Sequence, residues 1–167
     1  MDQALRAIVE GFDADIAISK AFTPPSEWYT ESALYGLEHR TVFRDNWIAV
    51  ERADDVAEPG RFVSGTLLGD PYIIVRSKDG ALHAFDNVCR HHATTLVRGS
   101  GCAERFTCPY HGWTYDCAGR LLGIPDKRSF PDIDPALQGL VQLPAVESHG
   151  LVWACASANG DQSAPVT

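Results

Sequence analysis

No stretch of this sequence approaches the roughly 18 consecutive apolar residues that a membrane-spanning helix needs, which excludes a helical integral membrane protein. The opening residues, MDQALRAIVEGFDADIAISK, offer neither the basic patch nor the apolar core of a secretory signal, so a cytoplasmic chain is the expectation. Positive charge is short: 14 Lys and Arg face 22 Asp and Glu, a formal charge of −8 that disfavours nucleic acid as a partner. Repeats and low-complexity segments are missing as well. With 45% apolar and 22% charged residues the composition is globular rather than disordered, and 167 residues suit about one domain. What the chain has in surplus is cysteine and histidine, five and six respectively. Where thiols stay reduced, cysteines serve metals or catalysis more often than disulfides.

Residues 1–20 read as weakly helical, with Leu5, Ile8, Val9, Phe12 and Ile16 at helical spacings and Gly11 as a weak point. Pro24 and Pro25 end that segment. From Thr30 the run TESALYGLEHRTVF places Leu34, Leu37 and Phe43 near one face, with Thr30 or Ser32 as N-cap and Asp45-Asn46 as the close. Beyond Trp47 the texture changes to short strands between turn residues, at about 47–51, 61–68, 71–77, 81–86, 104–108, 112–116, 120–123, 140–148 and 151–156. Ser77-Lys78-Asp79-Gly80 and Cys117-Ala118-Gly119 read as turns. The expected class is mainly β and antiparallel, preceded by one or two short helices. The expected organisation is a helical segment 1–46, a β domain 47–157 and a polar tail 158–167.

Two short clusters carry chemistry: Cys89-Arg90-His91 and Cys108-Pro109-Tyr110-His111, that is C-x-H, sixteen intervening residues, then C-x-x-H. Each falls in a loop between strands, where neighbouring side chains can converge instead of alternating between sheet faces. Three chemistries use such a set. A structural zinc ion accepts two cysteines and two histidines, although zinc modules usually pair like with like along the chain. A thiol nucleophile with a histidine base needs one of each, not two matched pairs. A Rieske [2Fe–2S] centre takes two cysteines on one iron and two histidines on the other, which two facing loops can each half supply.

The stretch NVCRHHATTLVRGSGCAERFTCPYHGWTYDCAGRLLGIP, residues 87–125, resembles the Rieske domain of ring-hydroxylating oxygenase α subunits. The flanking WYTESALYGLEHRTVFRDNWIAV and AEPGRFVSGTLLGDPYIIVRSKDG are similar to the N-terminal part of the same family, in the texture of its quaternary-amine branch. The resemblance implies a Rieske-type antiparallel β-sandwich with cluster-binding loops. It implies a [2Fe–2S] cluster whose inner iron is held by Cys89 and Cys108 and whose outer iron is held by His91 and His111. Respiratory Rieske proteins have an extra cysteine pair and a serine around the ligands; here those places hold Thr94, Tyr110 and Trp113. Fewer hydrogen bonds to sulfur put the expected potential toward the low end of the Rieske range. His92-Ala93 departs from the Arg-Gly more often found after the first ligand histidine. His92 is expected at the surface or behind the ligands, its ring pointing away from that of His91. Cys155 reads as a core residue, Cys102 and Cys117 as unpaired thiols near turns. His39, His83 and His149 read as structural or solvated histidines, and Tyr110 and Trp113 as shielding aromatics.

Oxygenase α subunits, as the resemblance implies, also carry a larger catalytic domain with a mononuclear non-haem Fe(II) held by two histidines and a carboxylate. After His111 this sequence has one further histidine, His149, so that site and any catalytic residue are expected outside it. The implied function is electron transfer from a reductase or ferredoxin to an oxygenase catalytic domain, including that of a neighbouring subunit. A stand-alone Rieske ferredoxin is the alternative, against which the helical preface from Trp28 to Trp47 speaks; a zinc module is the third reading.

Overall fold

The computed structural model describes residues 3–157, and the expected polar tail 158–167 lies outside the described residues. The chain divides between Arg44 and Asp45 into two compact units.

In the first unit α1 (Gln3–Glu10) buries Leu5. The helix stops far short of residue 20. Gly11 closes its last turn, donating to the Ala7 carbonyl at 3.0 Å, and the Asp13 carboxylate then accepts from the Asp15 amide at 3.0 Å, a local bond that competes with helix continuation. Only a single 3₁₀ turn, Ile18–Lys20, follows. Helices α2 (Glu27–Thr30) and α3 (Ser32–Glu38) run into a π turn, His39–Phe43. The cap of α3 is neither Thr30 nor Ser32: the Glu31 carboxylate accepts from the Ala33 amide, while the Thr30 hydroxyl donates back to the Ser26 carbonyl. The π turn also carries Phe43 out to solvent, away from buried Leu34. Trp28 ties α2 to α1, donating its indole N–H to the Ile8 carbonyl at 3.2 Å and packing edge-on to Phe12.

The second unit is built on strands whose pairings are all antiparallel, with three short 3₁₀ turns, Ala53–Val56, Lys127–Ser129 and Pro135–Leu137, among them. Its strands are β1 (Ile48–Arg52), β2 (Arg61–Leu67), β3 (Asp70–Arg76), β4 (Leu82–Asp86), β5 (Ser100–Cys102) and β6 (Arg105–Thr107). There follow β7 (Thr114–Asp116), β8 (Leu121–Gly123), β9 (Gln142–Leu143), β10 (Ala145–Ser148) and β11 (Leu151–Ala154). They form a central sheet in the order β5-β2-β3-β4-β9, flanked by β1-β11-β10 and by β6-β7-β8. Both expected turns are present: the Ser77 amide donates to the Ala81 carbonyl, and the Asp116 carboxylate accepts from the Ala118 and Arg120 amides.

Two expectations fail here for identifiable reasons. The strand drawn over 140–148 is broken at Pro144, which lacks an amide to donate. β9 before it pairs with β4, and β10 after it pairs with β11. Strand β5 was hidden because Ser-Gly-Cys reads as a turn. It pairs with β2, and Gly101 faces Phe62, whose ring leaves only 3.1 Å for a Cβ.

β3 explains the layering. Its four consecutive buried residues, Tyr72, Ile73, Ile74 and Val75, alternate between two cores as strand geometry requires. Tyr72 and Ile74 pack with Val56, Leu143 and Val152, toward β1-β11-β10. Ile73 and Val75 pack with Phe85, Phe106, Trp113 and Tyr115, toward β6-β7-β8. Cys89 and Cys108 belong to this second core; Cys155, as expected, is fully buried.

Candidate metal centre

The two clusters sit on adjacent loops built to the same backbone plan. In the first, the Cys89 amide donates to the Thr94 carbonyl at 2.9 Å and the Cys89 carbonyl accepts from the Ala93 amide at 3.0 Å. In the second, the Cys108 amide donates to the Trp113 carbonyl at 2.8 Å and its carbonyl accepts from the Gly112 amide at 3.0 Å. Four residues after each cysteine the chain takes a left-handed conformation, at Ala93 (φ 55°) and Gly112 (φ 73°). Gly112 is the residue such a turn favours, and a Cβ there would lie 2.9 Å from Pro125 Cγ.

What holds each loop differs. The second spans the ends of the β6–β7 hairpin. The first is longer and is closed by Asn87, whose side chain is buried: its amide donates to the Val97 carbonyl at 2.8 Å, and its oxygen accepts from the Leu96 and Val97 amides at 3.0 and 3.2 Å. A bridge between Val88 and Thr95 continues the closure.

The side chains are graded from inside to outside. Cys89 and Cys108 are 2% and 3% exposed, His91 is half-buried, and His111 is open to solvent. His91 stacks on Trp113 with ring centroids 4.8 Å apart, meets Phe130 edge-on, and approaches His111 at 4.7 Å. Tyr110, itself exposed, stacks on His111 at 3.7 Å. Trp113 therefore shields, as expected, while Tyr110 covers one imidazole from the solvent side. Burial, and then the proximity of His92 and His111, lowers the His91 pKa, which keeps its ring neutral with a lone pair to offer. His91 Nδ1 is buried without any hydrogen-bond partner, alone in this among the described residues. A buried imidazole nitrogen left unpaired costs free energy unless something in the site satisfies it.

Two participants escaped the sequence reading. The Tyr115 hydroxyl accepts from the Arg90 amide at 3.1 Å and lies 3.5 Å from Cys89 Sγ, with its own proton available to the sulfur. Burial, followed by the bond to Cys89, pushes the pKa of this phenol up, so it remains a donor. Its position, two residues beyond Trp113 on the same strand face, was the available signal. Asn87 is the other, legible only as a polar residue two places before Cys89.

His92 corrects an expectation. It is exposed, but its ring does not diverge from that of His91: the centroids are 4.1 Å apart, because the left-handed turn at Ala93 curls the loop back on itself. The remaining residues have ordinary surroundings. The His83 ring nitrogen pairs with the Ser77 hydroxyl at 3.1 Å, and that of His149 with the Ser148 hydroxyl at 2.8 Å. None of the five cysteines is in a disulfide; Cys102 is exposed, and the buried Cys117 thiol donates to the Ala103 carbonyl at 3.3 Å.

Among the described residues, ligand atoms of His91, His92 and His111 lie mutually within 4.8 Å, a set that includes no cysteine sulfur. A single tetrahedral ion with bonds of about 2.0–2.3 Å would draw two thiols and two imidazoles to within roughly 4 Å of one another. Here the thiols lie buried on the inner side and the imidazoles on the outer side. Such a donor set fits a two-iron centre with sulfur on one iron and nitrogen on the other.

Residues 46–144 match the family model for the Rieske [2Fe-2S] domain. The chain belongs to that family. Among curated relatives, the chloroplastic choline monooxygenase of Spinacia oleracea is 39% identical over 140 residues, covering 84% of this chain and 32% of the relative. The biphenyl dioxygenase α subunit of Paraburkholderia xenovorans (strain LB400) is 37% identical over 146 residues, covering 82% of this chain and 31% of its own. Among solved structures, the quaternary ammonium Rieske monooxygenase CntA superposes with a TM-score of 0.79 at 32% identity, covering 84% of this chain and 40% of that one. The chain thus spans about a third of the length of the curated relatives it matches. This Rieske domain corresponds to the N-terminal part of oxygenase α subunits, and no helix of its described residues is long and apolar enough to cross a membrane.

Proposed function

We propose that this Rieske domain is the electron-transfer part of a non-haem iron oxygenase α subunit, with Cys89 and Cys108 holding the inner iron of the cluster and His91 and His111 the outer one. The observation that carries the assignment is the buried, unpartnered Nδ1 of His91 on a loop whose backbone plan matches that of the Cys108 loop. The cluster, when bound, supplies reversible one-electron chemistry at low potential. The rest is the work of the chain. Burial of the two thiols keeps water from the sulfur side, and Trp113 and Phe130 wall off His91. Tyr115 donates toward Cys89 sulfur, which favours the more negative, reduced state and raises the potential. His111, with Tyr110 on its face, offers the exposed edge at which a partner can be met.

The partners that fit are a reductase or ferredoxin on the donor side and, on the acceptor side, a catalytic domain with a mononuclear Fe(II), that of a neighbouring subunit included. The solved CntA structures are described as giving insight into inter-subunit electron transfer and carnitine oxidation, which supports this arrangement. The likeness to choline monooxygenase and CntA supports the quaternary-amine branch over the aromatic one. Five cysteines without a disulfide support a reducing compartment such as the cytoplasm. The helical unit and the β unit serve in this reading as preface and electron-transfer domain, residues 1–46 and 47–157.

Metal and sulfide analysis with electron–nuclear double resonance on the reduced chain tests the ligand set. The expected result is two irons and two sulfides per chain with nitrogen couplings from two imidazoles, one lost in His111→Cys. A colourless chain holding one zinc, or a two-iron signal without nitrogen coupling, overturns it.

A further inference from the structure

Three imidazoles, not two, converge at the tip of the site. His91 and His92 have ring centroids 4.1 Å apart, His91 and His111 4.7 Å, and His92 and His111 5.3 Å. Each contributes a ring nitrogen to a set lying within 4.8 Å. The thiols take no part in that set. We propose that, in the chain before its cluster is loaded, His91, His92 and His111 form a site for one divalent transition-metal ion of the zinc type, bound through nitrogen alone.

The chemistry of the donors fits. Imidazole suits zinc, copper, nickel and iron, and three protein nitrogens with water in a fourth position are a recurring arrangement for zinc. Two of the three rings, His92 and His111, are exposed, which puts that side of the set at the protein surface. The formal charge of −8 draws cations to the surface in general. His92 plays no part in the cluster assignment above, and this site gives it a role. Because His91 and His111 would serve both, the ion and the cluster compete, and the chain carries its own brake on cluster loading when zinc is abundant.

The test uses the 167-residue chain stripped of iron, with Co²⁺ as the spectroscopic probe and Zn²⁺ as the competitor. The expected spectrum has d–d bands of a low-coordinate cobalt and no thiolate-to-cobalt charge transfer. Zinc affinity is expected to hold in the Cys89→Ser/Cys108→Ser variant and to fall at least about 10-fold in His92→Asn, the lower bound of what even an outer-sphere partner costs. A thiolate band, an affinity lost with the cysteines, or one unmoved by His92→Asn overturns the proposal. A second measurement does not need a folded iron-free chain: cluster assembly followed by absorbance with and without zinc. Zinc is expected to slow assembly of the unsubstituted chain several-fold more than that of His92→Asn, and equal slowing overturns the competition. The cobalt arm stands independently of the cluster assignment, whereas the assembly arm rests also on His91 and His111 as cluster ligands, so the two failures are distinguishable.

Discussion

The Cys89 and Cys108 loops reach one backbone shape by different means. Each cysteine amide bonds to the carbonyl five residues on, and each cysteine carbonyl accepts from the amide four residues on. The Cys108 loop obtains this shape from a hairpin and a glycine at the left-handed position. The Cys89 loop has only the single Val88–Thr95 bridge beneath it and an alanine where a glycine is favoured, and it relies on the buried Asn87 side chain and on Tyr115 reaching across from β7. The difference teaches that a ligand cradle is specified by a backbone hydrogen-bond pattern, which either local turn chemistry or distant polar side chains can enforce.

Breaking the side-chain route is expected to have the largest effect. Asn87→Ala leaves two amides and a carbonyl of residues 96–97 without their partner, at a cost of about 2–3 kcal/mol in chemical unfolding, and accelerates iron release. If iron loss stays at the unsubstituted rate, the clamp is not what holds the first loop. Gly112→Ala strikes the other loop: left-handed strain and the contact with Pro125 together cost about 1–3 kcal/mol, seen as a lowered denaturation midpoint. Tyr115→Phe removes the donor to Cys89 sulfur and is expected to lower the reduction potential by roughly 60 mV, a tenfold step for one electron; because the Arg90 amide loses its acceptor as well, iron release is expected to quicken, though less than in Asn87→Ala. A potential that does not fall in voltammetry removes the tyrosine from the account. The smallest effect has the opposite sign. Ala93→Gly relieves the left-handed strain against a larger unfolded-chain entropy, for a net gain of roughly 0.5–1 kcal/mol. It makes the first loop resemble the second.

What could be read from the sequence follows the same division. The four candidate ligands were legible because residue type and spacing state the chemistry directly, and the long alternating strands because burial imposes a period of two. β5 was not, since a Ser-Gly-Cys strand owes its existence to Phe62 opposite it and to no propensity of its own. The early end of α1 and the Glu31 cap depended on local side-chain bonds that compete with the helical pattern. Tyr115 and the convergence of His92 on His91 are tertiary facts: each needs the fold of a loop elsewhere before the residue acquires its neighbour. Sequence states which donors exist; only the closed chain states which of them meet.

β3 gives this molecule a party wall. Ile73 and Ile74 are adjacent in the chain yet occupy different rooms, one lined by the cysteines and aromatics of the metal centre, the other by the residues beneath β1, β10 and β11. A methyl label at Ile73 would therefore register a change of charge at the centre more strongly than one at Ile74, a built-in comparison one peptide away. Neither room can be dismantled without taking down the wall of the other, so the centre draws its rigidity from a layer it never touches.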